Sequence, residues 1–334
     1  MATLRQNMAT KEWVIIATER AHRPEQFIST ARPLTEELPP LDPRCPFCPG
    51  NEEGPEFEVE REPAAGPWQL RILRNRYPAV SPEGDALREF HGIYRSIAAV
   101  GYHDVIVESP LHNTTTALQP VEEVAQSLRA MAQRGHDIER DPRMEHILYF
   151  KNHGPTAGAS IVHPHTQIIG LPIVPQHTRA RMEEARRYHD DTGDCVFCRM
   201  LAEELTAQVR LVAENDYAVA FVPYAASTPF HTWIMPRQHN PTFLSAAPEV
   251  LKGMSAILHT VLQKLYFGLR DPDYNYMIRN APIHESGRDY LHWYITVVPR
   301  LSRSAGFELG SGMRINVMQP EACAEYLRKM PVDL

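Results

Sequence analysis

The chain carries one ligand pattern twice, and that repetition constrains its fold more than any other feature of the sequence. A Cys-x-x-Cys, a histidine, and a second histidine at the head of an apolar segment occur as Cys45, Cys48, His112 and His163, and again as Cys195, Cys198, His239 and His292. The interval from the last cysteine to the first histidine is 64 residues in one copy and 41 in the other, but the histidine-to-histidine intervals are 51 and 53. A spacing kept so closely over so long a stretch marks a duplicated unit. A length of 334 residues has room for two such units. The expected division is residues 1–178 and 179–334, with the strongly charged Thr178–Asp194 as a connecting helix or linker.

Each copy reads as a mixture of short strands and one amphipathic helix. Val121, Val124, Leu128 and Met131 recur at helical spacing after Pro120, and Leu251, Met254, Ile257, Leu258, Val261 and Leu265 do the same in the second copy. Strands are expected at Trp13–Thr18, Asp104–Glu108, Ile147–Lys151, Ala218–Val222, Thr232–Pro236, Tyr274–Ile278 and Leu291–Val298. Short strands outnumber helices and their connections look hairpin-like. The expected class is therefore α+β, with an antiparallel sheet and packed helices in each of two tandem domains.

Two thiols and two imidazoles per copy form the ligand set of a closed tetrahedral zinc site. With all four positions filled by protein, no place remains for an activated water, so both metals would be structural. Unmetallated thiols with ordinary surface histidines are the bland alternative. Two Cys-x-x-Cys pairs, each followed by histidines in the same order, favour metal. The first pair also sits in the proline-rich PPLDPRCPFCPGNEEGP, unlike a redox pair that opens a helix. Cys323, in the helical segment PEACAEYLRK, reads as an inert thiol.

The chemistry concentrates in HPHTQ, residues 163–167. In a strand, alternate residues share a face, which places His163, His165 and Gln167 together. A neutral imidazole is a competent nucleophile toward phosphorus when its other nitrogen donates to a fixed acceptor. Gln167 would offer its amide to phosphoryl oxygens. Just upstream, Asn152, Gly154, Gly158 and Ser160 form a small-residue loop suited to close approach of phosphate. In the second copy the positions matching His165 and Gln167 are Tyr294 and Thr296, so that copy reads as catalytically silent.

Charge narrows the partners. With 34 Lys plus Arg against 41 Asp plus Glu, the formal charge of −7 disfavours a nucleic-acid backbone. The stretch Tyr217–Pro236, without Asp, Glu, Lys or Arg, contains prolines and a histidine and lacks the apolar density of a membrane span. The N-terminal residues carry no signal-peptide pattern, and the expectation is a cytoplasmic protein.

These motifs resemble galactose-1-phosphate uridylyltransferases, the two-domain branch of the histidine-triad superfamily. The resemblance runs nearly end to end, through EWVIIATERAHRP, CPFCPGNE, NRYPAV, SPLHN, KNHGPTAGASIVHPHTQII, FVPYAASTPFHTWIMPRQH and AGFELGSG. It implies ping-pong transfer of UMP from UDP-glucose to galactose 1-phosphate through a covalent uridylyl-histidine, with His165 as nucleophile and Gln167 and Ser160 on the phosphates. It further implies substrate contacts at Arg20, Arg23, Asn75, Asn152, Gly158, Phe307 and Glu308, and a homodimer. Some members hold iron through a His-x-His in the second half, where this chain reads Tyr290-Leu291-His292. Arg314 falls where some members carry glutamine. The AGFExGxG wording is also similar to ADP-glucose phosphorylase, which transfers an adenylyl group to phosphate. That activity, a histidine-triad hydrolase and a non-enzymatic zinc-stabilised nucleotide-binding scaffold stay open as alternatives.

Overall fold

Strands from both copies hydrogen-bond into one sheet. The computed structural model describes residues 1–17, 24–28, 32–52 and 54–332, so Arg20 and Arg23 lie outside the described residues. In chain order the first strands are β1 (Thr3–Gln6), β2 (Trp13–Ile16), β3 (Glu58–Glu62), β4 (Leu70–Arg74), β5 (Arg88–His91), β6 (Tyr94–Ile97) and β7 (Tyr102–Val107). Helix α1 (Val121–Glu139) leads to β8 (His146–His153) and β9 (His165–Leu171). The connecting segment is helical, as α2 (Gln176–Thr192), followed by α3 (Val196–Ala207). Then come β10 (Leu211–Glu214), β11 (Ala218–Phe221), β12 (Thr232–Pro236), α4 (Pro248–Leu269), β13 (Tyr274–Arg279) and β14 (Tyr294–Pro299). The chain ends with α5 (Gly306–Ser311), β15 (Arg314–Asn316) and α6 (Pro320–Lys329).

Among the described residues the main sheet has ten strands, in the order β10-β11-β12-β14-β13-β8-β9-β7-β4-β3. Every neighbouring pair in it is antiparallel. The order is symmetric about the seam between β13 and β8, where Tyr274 faces His153, Tyr276 faces Lys151 and Ile278 faces Tyr149. Across that seam β9 corresponds to β14, β7 to β12, and α1 to α4. The α+β class and the antiparallel pairing stand as expected from the sequence. The two sheets, however, are joined edge to edge rather than separate, which removes the unpaired edge each would otherwise expose.

One face of the sheet is covered by α1, α4 and α6. Helix α1 begins after Pro120 with Glu122 and Glu123 in its first turn, where carboxylates favour the unpaired N–H groups. It buries Val124, Leu128, Met131 and Ile138 against Ile106, Ile147 and Ile168 of the sheet. Helix α4 lies between the sheet and its neighbouring helices and is buried nearly all round, including Met254, Leu258, Val261 and Leu265. Each such side chain contributes about 1.5–3 kcal/mol on removal from water. The opposite face differs between halves. Over the C-terminal strands, α2 supplies Ala185 and α3 supplies Val196, Phe197 and Leu201 against Phe221, Trp233 and Tyr294. Over the N-terminal strands the described residues form a small cluster of Trp68, Leu73, Val105 and Val107 with Phe47. That thinner cover leaves space for a cavity.

The ends of the chain meet. β1 and β2 form a hairpin, and β2 pairs in parallel with β15. Arg5 reaches Glu321 at 2.8 Å and the carbonyl of Tyr224 at 3.1 Å.

Candidate functional site

His165 opens β9, pairing with Val107 of β7. His163 stands before the strand rather than within it, because Pro164 has no N–H to give to a ladder. The shared face expected for three residues is therefore shared by His165 and Gln167 alone. In the second half β14 likewise starts at Tyr294, two residues after His292. Both second histidines thus sit just ahead of a strand, where the backbone turns toward the cysteines.

His163 and His112 bring their Nδ1 atoms to 3.6 and 3.5 Å from the Cys48 Sγ. The Nε2–H of His163 donates to the carbonyl of Ser109 at 2.7 Å, which leaves Nδ1 as the lone-pair nitrogen. In the second cluster, the Nδ1 atoms of His239 and His292 lie 3.1 and 3.3 Å from the Cys198 Sγ. There His292 Nε2–H donates to the carbonyl of Pro236 at 3.1 Å. Within each group of four the ligand atoms lie within 4.8 Å of one another. A tetrahedral zinc with Zn–S of about 2.3 Å and Zn–N of about 2.0–2.1 Å requires S···N edges of roughly 3.5 Å. The donors, and the tautomers fixed at His163 and His292, fit such an ion in both places. A metal there would cross-link loop to sheet, and both ligand sets are complete without water.

A cavity of about 350 Å³ opens beside the first cluster on the face away from α1. Its floor is His165 and Gln167 of β9, Val105 of β7, and Arg71 and Leu73 of β4. Pro46 and Phe47, between the two cysteines, form one wall with Phe57, and the Phe47 ring lies 5.4 Å from that of His165. Arg74, Asn75, Arg76 and Tyr77 form another wall, and Ser160 and Ile161 complete it. One end is thus aromatic and apolar while the other carries cations and amides, the character of a small-molecule site.

The polar groups are oriented by hydrogen bonds that leave specific atoms free. His165 Nδ1 lies 2.8 Å from the carbonyl of His163 and must carry its hydrogen, so Nε2 holds the lone pair. Burial pushes this imidazole below its ordinary pKa, which favours the uncharged form. His103 accepts the N–H of Ala79 at Nδ1, at 3.1 Å, so its Nε2–H donates to Gln167 Oε1 at 2.9 Å. With that oxygen engaged, Gln167 presents its NH2 to the cavity. Asn75 accepts the N–H of Tyr77 through Oδ1, at 2.9 Å, and its Nδ2 lies 3.1 Å from His103 Nε2, so its amide is fixed at the cavity wall.

Behind His165, Thr166 points to the covered face and donates to Oε1 of Glu108, whose Oε2 lies 2.6 Å from Lys151 Nζ. Both charged side chains are 1% exposed. This ion pair joins the end of β7 to β8 and β9 directly under His165.

The loop after β8 carries the other expected contacts. Asn152 sits on the seam, its Oδ1 accepting from Asn275 at 2.8 Å. Gly154 has φ +82°, and a Cβ there would lie 1.9 Å from Oδ1 of Asp273. Gly158 has φ +90° and approaches the Asn152 amide. Ser160 lines the cavity. Phe307 and Glu308 do not: they lie on α5, where Glu308 caps the helix by accepting the N–H of Ala305 at 2.9 Å and lines a different recess. Arg71, Phe57 and His103 were not expected from the sequence. The alternation of β3 and β4 is masked by charged residues, and His103 stands two residues before Val105 on the same face of β7, the one clue that could have found it.

A family model for the N-terminal domain of galactose-1-phosphate uridyl transferase matches residues 1–175, more than half of the chain. The chain belongs to the galactose-1-phosphate uridyl transferase family. A second model, a domain of unknown function (DUF4921), matches residues 98–330. Among relatives of this transferase family, an ADP-glucose phosphorylase of Arabidopsis thaliana is 35% identical over 98% of this chain and 92% of its own. A galactose-1-phosphate uridylyltransferase of Thermotoga maritima is 28% identical over the whole of both chains. The crystal structure of an ADP-glucose phosphorylase from Arabidopsis thaliana with bound ADP-glucose superposes with a TM-score of 0.83, at 32% identity over all of both chains. A uridylyltransferase structure gives 0.76, at 26% identity over 98% of this chain and 97% of that one. The expected family is therefore confirmed, as a family of nucleotidyltransferases.

Proposed function

We propose that the chain transfers a nucleotidyl group from a nucleoside diphosphate sugar through a covalent nucleotidyl-histidine at His165. The observation that carries this reading is the hydrogen bond from His165 Nδ1 to the His163 carbonyl, which leaves Nε2 as the nucleophilic nitrogen in a cavity also lined by Gln167 and Arg74. Nε2 attacks the α-phosphorus, the N–P bond forms, and the bond to the bridging oxygen breaks to release the sugar 1-phosphate. No proton need move, because Nδ1 keeps its hydrogen and the His163 carbonyl steadies the positive charge that develops on the ring. The acceptor's phosphate oxygen then attacks phosphorus and the N–P bond breaks. Gln167 and Ser160 would hold the non-bridging oxygens, with Asn152 and Gly158 shaping the phosphate loop and Asn75 on the nucleotide side. Arg20, Arg23, Phe307 and Glu308 belong to the proposal through family resemblance alone.

Two donors suit this chemistry. The first is UDP-glucose, with galactose 1-phosphate as acceptor. The second is ADP-glucose with phosphate as acceptor, and the greater likeness to an ADP-glucose phosphorylase in both sequence and structure favours it. In either case the two Cys2His2 groups would hold structural zinc, residues 1–178 would carry the chemistry, and residues 179–334 would serve as scaffold. Association as a homodimer and residence in the cytoplasm complete the proposal. Among the described residues no helix is long and apolar enough to cross a membrane.

The test is intact-protein mass spectrometry after mixing the purified chain with UDP-glucose or ADP-glucose without acceptor. An acid-labile adduct of nucleoside monophosphate mass, absent from His165→Asn, is the expected result, and the productive donor names the base. No adduct from either donor, with the protein folded and metal-loaded, would overturn covalent transfer.

A further inference from the structure

A second, larger recess of about 480 Å³ lies on the same face of the sheet, over the C-terminal strands. It occupies the place related to the His165 cavity across the β13–β8 seam, with Tyr294 and Thr296 where the first has His165 and Gln167. The copy without a nucleophile therefore keeps a cavity, and the charges lining it are not those of an idle surface.

Arg279 of β13 and Arg181 of α2 both line this recess. Neither guanidinium has a hydrogen-bond acceptor or an ion-pair partner among the described residues, although most arginines inside this fold do, such as Arg134 with Asp104 at 2.7 Å. Burial, reinforced by the charge of Arg181, lowers the pKa of Arg279 to about 10, so it remains a cation at neutral pH. Facing groups do not neutralise it. His231 is held uncharged, its Nε2 accepting from Trp233 Nε1 at 3.1 Å. His146 is likewise pushed down, by burial and by the same two arginines. His177 also lines the recess and carries no negative charge. Glu12 and Glu308 line it too: Glu308 is engaged at the α5 cap, and Glu12, whose charge partly offsets that of Arg279, forms no ion pair with either arginine. Arg314 adds a third guanidinium and donates to Ser304.

Two adjacent, partly desolvated guanidinium groups repel each other, and neither has a protein acceptor among the described residues. That arrangement is unfavourable unless an anion enters. A guanidinium fork matches phosphate oxygens two at a time. The volume exceeds what one phosphate fills, and the Trp233 and Tyr294 rings, 4.3 Å apart at 31°, form an apolar wall beside the cations. We infer that this recess is a second, non-catalytic binding site for a phosphate dianion, free or as the ester of a small sugar, with its oxygens on Arg181 and Arg279. The inference does not depend on which nucleotide the His165 cavity takes.

The test is equilibrium dialysis of the full, metal-loaded chain against radiolabelled orthophosphate and, separately, glucose 1-phosphate. Arg279→Gln is expected to lose one bound equivalent per chain, and Arg181→Gln to weaken that equivalent at least ten-fold, with metal content and circular dichroism unchanged. Arg279→Lys should retain part of the binding. If Arg279→Gln fails to fold, Arg181→Gln, on the surface helix α2, decides alone. Equal affinity for the two probes identifies phosphate itself as the ligand, and ten-fold tighter glucose 1-phosphate identifies the ester. Binding by the wild-type chain that neither arginine substitution alters, or no binding beyond an equivalent lost in Gln167→Ala, would overturn the proposal.

Discussion

The carbonyl of His163 receives the Nδ1–H of His165 at 2.8 Å, while the His163 ring turns its own Nδ1 toward Cys48. One residue therefore serves the Cys2His2 cluster through its side chain and the neighbouring imidazole through its backbone. Anything that shifts the cluster shifts the group that fixes the His165 tautomer.

Replacing His165 with asparagine should lower nucleotidyl transfer at least about 10⁴-fold, as removal of a nucleophile does elsewhere. Circular dichroism and metal content should not change, because His165 is absent from the ligand set. Steady-state assay with the productive donor checks this, and activity within ten-fold of wild type would remove His165 from the role.

Cys48→Ala should abolish one equivalent of bound zinc and lower the thermal midpoint, since the loop of residues 45–48 is pinned to the sheet through that cluster. Transfer activity should fall as well, through the His163 carbonyl. Cys198→Ala should lose the other equivalent and leave activity closer to wild type. Elemental analysis beside a melting curve separates the two. Equal loss of activity in both variants would argue against the coupling.

Tyr294→Phe should change turnover by no more than a few-fold. Tyr294 is buried against Trp233 and Phe197 on the far half of the sheet, and it lines the second recess rather than the first. A loss of a hundred-fold or more would show that the second half takes part in the chemistry.

Acid should weaken the fold through His146. Burial holds this imidazole at about 4, against an ordinary 6.5, with Arg181 and Arg279 adding to the effect. The folded state therefore favours the neutral ring. Its contribution is complete above pH 6.5 and is lost as pH falls from 6.5 toward 4, by about 3 kcal/mol in all. Urea midpoints at pH 7 and pH 4.5 should differ less in His146→Gln than in the wild-type chain.

Lys151→Met should cost roughly 3–5 kcal/mol, because Glu108 would be left charged and buried without its partner. Lys151→Met combined with Glu108→Gln should recover much of that loss. Denaturant titration of the single and double variants measures it, and a single variant as stable as the double would mean that the pair is not coupled.

Much of the site was legible in the sequence because ligand chemistry demands residue types that spacing reveals. Both Cys2His2 clusters assemble from the residues expected, and the helices after Pro120 and Ala247 lie where their apolar periodicity placed them. Residues that act through tertiary neighbours were harder to find. Arg71 is 2% exposed, bonded to Glu58 at 2.6 Å and set over Trp68, yet in sequence it is one cation in a short strand. The arginines of the second recess come from a surface helix and a central strand almost a hundred residues apart. The seam was invisible for a related reason: pairing of β8 with β13 joins residues more than a hundred positions apart, and local pattern carries no trace of such a partner.

That seam has a consequence for how such a molecule diversifies. Two identical subunits docked along one strand edge must share every substitution, so a mutation that removes a nucleophile removes both. Once a single chain supplies both sides of the edge, the copies drift independently while each still shields the other's backbone. One side can keep His165 and Gln167 and the other can exchange them for Tyr294 and Thr296, because the seam that joins them is written into hydrogen bonds between main chains, which these exchanges leave in place.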